Sequence, residues 1–379
     1  MEPDHFDAFL RAIDARRSRR AAAGLLGGLL ALPALARHED ASAKRRKKKK
    51  KKNRKGNKNS NTPPACVPNC EGGARCNVAD GCGGTCSCAA GSLCWAETCR
   101  ACDVIHTGND ATSGEALRQR LAAPMNDDAF VYVCPGRYTG YFVQAGGNVV
   151  GAGDGADPTT NTILDPAGVS VPVGTSAVLA VTSGVVSRMD NIRVTGSDAM
   201  SLHGVHVPAG GTLSVEGCTV TGTRGFGGYG VNVRGTFNAL DTTISGNGPL
   251  SPSVSGGGGM YIDTPSAVLL EQCRIVDNQA YTSNGGGITL YTGFLELFGT
   301  DISSNKALGG PGYHGGGLYS NYGNVTMNDK TRITGNSSSG TGGGIYRENR
   351  EASYPITLDG ATVSNNVPGN CVNVTGCSG

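Results

Sequence analysis

The sequence is poor in the residues that fill an ordinary globular core. Its 379 residues include eight Phe and one Trp. That scarcity excludes a core of large aromatic rings, and sixty glycines point instead to a thin core of Val, Ile and Leu between many bends. The C-terminal two-thirds lacks helical periodicity: no segment there of helical length spaces its apolar residues by three and four. The apolar stretch Ala21 to Ala36 is shorter than the ~20 residues of a membrane-crossing helix, and Gly24, Gly27 and Gly28 weaken it further. No glycine cluster follows a strand, opens a helix and carries the lysine of a phosphate-binding loop, so a nucleotide site of that kind is excluded. The acidic spacing of a helix–loop–helix calcium site is also missing, and Asp154-Gly155-Ala156-Asp157 reads as a turn.

What the sequence does have is a repeated phrase between Gly256 and Asn366. Glycine triplets stand at Gly257–Gly259, Gly285–Gly287, Gly315–Gly317 and Gly342–Gly344. Successive third glycines are 28, 30 and 27 residues apart. Each triplet precedes a short alternating run: Met260-Tyr261-Ile262, Ile288-Thr289-Leu290, Leu318-Tyr319-Ser320, Ile345-Tyr346-Arg347. Each phrase then closes on an asparagine. A period of this length means a solenoid, and two-residue alternation rich in Ile, Val, Thr and Tyr means strands. Three short strands per coil would pair in parallel with the same strands of the next coil, ~4.7–4.9 Å away. Gly204 and Gly230 carry the same phrase further back.

Aligning the phrases produces columns. Val194, Val220, Ile244, Ile275, Ile302, Ile333 and Val363 form an inward apolar column. Two residues earlier lie Ile192, Cys218, Thr242, Cys273, Thr300, Thr331 and Ala361, also inward. Three residues after the apolar column come Asn247, Asn278, Asn305, Asn336 and Asn366, whose amides are expected to hydrogen-bond along the axis as a ladder.

The Gly-Gly-Gly-Ile and closing-Asn phrases resemble those of bacterial polymorphic outer-membrane proteins. The chain from about Phe130 to Asn366 resembles the right-handed parallel β-helix proteins of the pectin-lyase-like fold. The phrase Val133-Cys134-Pro135-Gly136-Arg137-Tyr138 is similar to a common opening of that family. The fold class implied is all-β: a right-handed parallel β-helix with three short strands per coil, preceded by a small disulfide-rich module. The resemblance leaves activity open, because this scaffold carries lyases, hydrolases, adhesins and structural proteins.

Ahead of the solenoid the chain divides by composition. Residues 1–43 read as an export signal, with Arg16-Arg17-Ser18-Arg19-Arg20 before the apolar stretch and Ala34-Leu35-Ala36 or Ala41-Ser42-Ala43 as cleavage sites. Ser18-Arg19-Arg20 resembles a twin-arginine signal. Residues 44–65 are expected to be a disordered linker. Lys44 to Lys58 hold 12 Lys or Arg and no acid, whereas 24 acidic side chains face 15 basic ones from Asn59 onward. The balance of +3 for the whole chain therefore conceals a basic tail and an acidic body. With no aromatic residue interleaved, the basic run does not suit nucleic acid. Behind an export signal it suits an anionic cell-envelope polymer or lipid head group, or it is a solvated spacer.

Residues 66–102 hold nine cysteines: Cys66, Cys70, Cys76, Cys82, Cys86, Cys88, Cys94, Cys99 and Cys102. So little apolar material accompanies them that disulfides must substitute for a core. Asp80-Gly81-Cys82-Gly83-Gly84-Thr85-Cys86-Ser87-Cys88 resembles a cysteine module of secreted bacterial proteins. The Cys99-x-x-Cys102 pair admits zinc, but an exported chain favours disulfides, and no metal site is assigned. The ninth cysteine, Cys102, is expected to pair with Cys134 and tie module to solenoid. Cys371 and Cys377 are expected to bridge at the C-terminal end, residues 367–379. Cys218 and Cys273 stand two coils apart, too far to bond, and are expected to be buried thiols. Between module and solenoid, residues 103–129 should cap the open end with a short helix. Thr112-Ser113-Gly114-Glu115 reads as its capping box, with Leu117 and Leu121 on one face. Phe130 to Cys134 would be the first strand, turned by Pro135-Gly136, and Tyr138 to Val143 and Asn148 to Gly151 would continue the first coil.

The outward positions after the glycines make two columns expected to be exposed. One reads His206, Asn232, Tyr261, Thr289, Tyr319, Tyr346; the other Pro208, Arg234, Asp263, Tyr291, Asn321, Glu348. Aromatic faces, amides and scattered charges suit a glycan, and a coil rise of ~4.8 Å is close to the length of one sugar unit. Asn232, Arg234, Tyr261, Asp263, Tyr291, Tyr319, Asn321 and Tyr346 are the candidate glycan-binding face. Exposed strands also favour Tyr and Thr without any ligand.

No catalytic residue is assigned. A glycoside hydrolase needs two carboxylates about 5–9.5 Å apart, and Asp263 and Glu348 are three coils, roughly 14 Å, apart. A lyase of this fold would gather acids around calcium beside an Arg or Lys, and Arg234 and Asp263 lack such a cluster. Calcium is expected only in that case, and otherwise no cofactor. Glu296 belongs to another sheet, His203 and His206 could pair with Asp198, and His314 has no evident partner. The expectation is thus an exported, monomeric, non-catalytic surface protein that binds polysaccharide or an anionic envelope polymer, without a membrane span once the signal is removed. The alternatives are a polysaccharide lyase or hydrolase and an inert spacer.

Overall fold

A computed structural model describes residues 76–77, 87–196, 202–249, 251 and 255–377. The signal, the basic linker, Cys66, Cys70, Cys82, Cys86 and Asp198 lie outside the described residues. From Phe130 onward the chain is a parallel β-solenoid of about 8 turns. Its first sheet stacks 203–207, 231–233, 260–262, 288–290, 318–320 and 345–347. Its second stacks 212–216, 236–240, 267–271 and 294–298. Its third stacks 219–221, 243–245, 274–276, 301–303, 332–334 and 362–364. A lateral ribbon, Gln279–Tyr281, Lys306–Leu308 and Ser337–Ser338, runs beside them.

Alternation sends every second residue inward, where the coils stack like on like. Val220, Ile244, Ile275, Ile302 and Ile333 form a continuous buried file, with Ile275 paired to Ile302 and Ile302 to Ile333. Beneath it Thr300 and Thr331 donate their hydroxyls to Leu270 O and Leu297 O of the preceding coil, at 3.0 and 2.8 Å. That contact satisfies a hydroxyl buried in an apolar core. Cys218 and Cys273 lie in the same file as buried free thiols.

The asparagines form one chain of hydrogen bonds. Asn278 donates its backbone N–H and its Nδ2 to Asn305 Oδ1, each at 3.0 Å, and its Nδ2 also reaches Ile244 O at 3.0 Å. Asn247, Asn305 and Asn336 repeat this on Asn278, Asn336 and Asn366. Asn370, which the repeat does not announce, closes the file by accepting from Asn366 N and Nδ2 at 3.2 Å. Before each ladder residue the chain turns through the left-handed region, at Gly246, Asp277, Ser304, Gly335 and Asn365. One side chain thus caps a sharp bend and bonds the coils above and below.

The N-terminal end differs from the reading of the sequence at two points. The helix Asp110–Ala122 begins a turn earlier than the Thr112–Glu115 box, because Asn109 is the cap and accepts from Thr112 N at 2.9 Å. Ser113 Oγ instead accepts from Thr107 N, and Glu115 pairs with Arg118. Leu117 and Leu121 are buried as expected, and the helix lies so near the sheet that a Cβ on Gly114 would stand 2.0 Å from Thr139 O. Secondly, the strand Gly147–Gly153 pairs with Phe130–Tyr132, so it opens the second coil rather than continuing the first. The first coil is short because Gly136–Thr139 and Phe142–Gln144 follow almost directly on the first strand.

Candidate functional site

The described part of the cysteine-rich region is a small antiparallel pair, Ser92–Trp95 with Thr98–Ala101, held by Cys76–Cys94 and Cys88–Cys99. Cys102–Cys134 joins it to the solenoid and Cys371–Cys377 closes the C-terminal end. Cys76, Cys88 and Cys99 bring their sulfurs within 4.8 Å of one another. All three are spent in disulfides, so they present no thiolate for zinc.

The register places Asn232, Tyr261, Thr289, Tyr319 and Tyr346 in one file, one residue per coil. Arg234, Asp263, Tyr291, Asn321 and Glu348 follow two residues on. The first file is less open than expected. Asn232, Thr289 and Tyr319 are 6, 5 and 7% exposed, and Tyr261 and Tyr346 are partly buried. The cause lies in the segments leading to the glycines, which fold over the sheet. Tyr229 stacks on Tyr261 at 4.9 Å, and His314 on Tyr346 at 4.2 Å. His314 also accepts from Thr341 N at 3.0 Å, so it has the partners that the sequence leaves unseen. Tyr319 and Tyr346 stack with centroids 5.8 Å apart and planes 3° apart.

Burial and nearby carboxylates keep these phenols protonated. Burial, assisted by Asp263, pushes the Tyr261 hydroxyl up to about 12. Burial and Glu348, which accepts from Tyr319 Oη at 3.3 Å, raise Tyr319 as well. Each phenol therefore remains a neutral donor. At the start of the file His203 takes a hydrogen bond on Nδ1 from Tyr229 N at 3.1 Å. Its Nε2 lies 2.9 Å from the Asn232 side-chain amide. Burial first, then His206 and Arg234, hold His203 down to about 3.

Where the first sheet bends into the second, two strands run through without a break, Ile288–Phe298 and Leu318–Met327. Gly293 and Gly323 stack at the bend. A Cβ would stand 2.4 Å from Ser266 O at the first and 2.2 Å from Leu290 Cδ2 at the second, so only glycine lets the coils close there. Flanking them, Tyr291, Phe294 and Tyr322 are 44, 47 and 42% exposed. Tyr322 meets Tyr291 edge-on at 6.3 Å and Tyr354 edge-on at 5.5 Å. Of these the candidate face includes Tyr291 alone. Tyr322 stands one residue beyond Asn321 in its column, and Tyr354 sits in an irregular bulge that the repeat does not align.

Among the described residues carboxylates pair with arginines but do not assemble in threes. Arg234 lies 3.8 Å from Asp263. On the second sheet Arg188 donates to Asp190 at 2.8 Å and to Glu216 at 2.7 Å, and Asp190 is 1% exposed. Glu296, also on that sheet, is pushed up by burial. No described helix is long and apolar enough to cross a membrane. The chain matches no family model, no curated protein and no solved structure.

Proposed function

We propose that this is an exported, non-catalytic β-helix of the pectin-lyase-like kind that binds a polysaccharide of the cell envelope or cell surface through its first sheet. The observation that carries the reading is the stack of the first sheet, which sets Tyr261 and Tyr346, both partly exposed, along one side of the solenoid with Tyr291, 44% exposed, at its edge. Aromatic faces cover the apolar sides of sugar rings, and neutral phenols and amides bond their hydroxyls. A rigid solenoid holds these groups in place before binding, which limits the entropy lost on association. Residues 1–43 serve export, for which the disulfides suit an oxidising destination, and the basic run Lys44 to Lys58 adds attraction to anionic wall polymers.

The test is retention on immobilised polysaccharides and peptidoglycan. Tyr261→Ala with Tyr346→Ala should lower retention of the full chain at least tenfold, with the fold monitored by circular dichroism. Wild-type protein that is retained by none of these polymers would end the reading.

A further inference from the structure

From the exposed corner between the first and second sheets we infer that the polymer is a neutral, linear polysaccharide lying along the solenoid axis, docked on a ridge of Tyr291, Tyr322 and Tyr354 with Phe294 beside it. This rests on the proposed glycan binding and locates it.

The file on the sheet itself cannot supply the first contact, because Asn232, Thr289 and Tyr319 are buried. The corner can. Its rings are the most exposed aromatics near the face, at 44, 47 and 42% for Tyr291, Phe294 and Tyr322. They project from unbroken strands pinned by Gly293 and Gly323, so the platform costs no ordering when a ligand arrives. Several large rings clustered on one exposed corner make a contact surface of a kind that singly scattered aromatics do not. The ridge supplies one tyrosine per coil over three coils, with centroids 6.3 and 5.5 Å apart. Those separations are somewhat above the strand repeat of ~4.8 Å and are of the order of one sugar unit.

Successive rings meet nearly at right angles, at 72° and 84°. A ligand running along them is offered alternate faces and edges, which suits a polymer whose consecutive units are turned over. The charges of the neighbouring coils balance: Arg234 lies 3.8 Å from Asp263, and the segment after Tyr346 carries Arg347 and Arg350 with Glu348 and Glu351. A uronate polymer would gain nothing net from that set, so the neutral class is favoured.

The experiment measures retention of the full chain on cellulose, chitin, xylan and mannan, with pectate as the acidic comparison. Tyr291→Ser, Tyr322→Ser and Tyr354→Ser should each weaken binding to one neutral polymer about threefold to tenfold, and together at least thirtyfold. Tyr→Phe at each place should restore most of it. Soluble oligomers of that polymer should gain affinity up to about three or four units and then level off. A triple variant within twofold of the wild type on a polymer the wild type binds would overturn the ridge while leaving glycan binding intact. Retention on pectate alone would overturn the neutral class. Retention on none of the polymers would remove both the ridge and the reading beneath it.

Discussion

The third glycine of a repeat and the ladder asparagine of the same repeat touch: a Cβ on Gly287 would stand 3.0 Å from Asn305 Nδ2 and 2.6 Å from Gly317 O of the next coil. Gly259 and Asn278, Gly317 and Asn336, and Gly344 and Asn366 are related in the same way. The two most visible features of the sequence are thus one packing unit. The asparagine fills the space that a side chain on the glycine would need.

Gly287→Ala should therefore destabilise the protein by roughly 2–3 kcal/mol, since the clash is with backbone and a ladder amide, neither of which can yield. Gly335→Ala, at a left-handed bend with open space around the Cβ, should cost only about 1 kcal/mol. Urea denaturation of the two variants compares them. Equal losses would mean that close approach is not what demands the triplet's last glycine.

Asn305→Ala leaves Asn278 N without its acceptor and Ile275 O without its donor. With buried groups unpaired at about 1–3 kcal/mol each, the loss should be roughly 3 kcal/mol or more. Asn370→Ala removes the ladder's terminal acceptor, on a partly exposed side chain, and should cost less, roughly 1 kcal/mol. Hydrogen exchange reads the same effect locally: the Asn278 amide should lose protection in the first variant and keep it in the second.

His203 supplies a pH dependence. Its ordinary value is 6.5 and the fold holds it down to about 3, through burial and then His206 and Arg234. Between these values the unfolded chain binds a proton that the folded one refuses. Stability contributed by the neutral ring is therefore complete above about 6.5 and is lost as the pH falls toward 3, by at most ~1.4 kcal/mol per pH unit. His203→Gln should flatten that slope in urea titrations at pH 7, 5 and 4. Parallel curves for variant and wild type would assign the slope to other groups.

Burial pushes the Cys218 and Cys273 thiols up to about 12. Iodoacetamide at pH 8 should leave both unmodified in the native protein and label both in denaturant, as peptide mapping would show. The Cys102–Cys134 bridge should behave differently. Replacing both residues by Ser opens a loop of 32 residues and should cost roughly 3–4 kcal/mol, with the strand signal of the solenoid retained in circular dichroism below the new Tm.

The solenoid was legible in the sequence because its cause is local and repeated. Alternation sets which side chains point inward, and the glycine triplets and asparagines recur at one period, so Ile275, Ile302 and Ile333 could be aligned by counting. The free thiols follow from the same counting, and the Cys102–Cys134 bridge from the odd number of cysteines in residues 66–102. Exposure could not be counted. Whether Tyr319 faces water or lies beneath its neighbours depends on the segments around residues 309–314 and 339–342, whose lengths vary and whose paths are decided by what they meet, such as His314 against Tyr346. The corner was hidden for a similar reason: Tyr291, Tyr322 and Tyr354 fall at unequal places in their repeats and converge only because Gly293 and Gly323 let two strands bend together. Pattern determined the inside of this molecule, where every coil obeys one rule. Tertiary packing decided the outside, where each coil meets different neighbours.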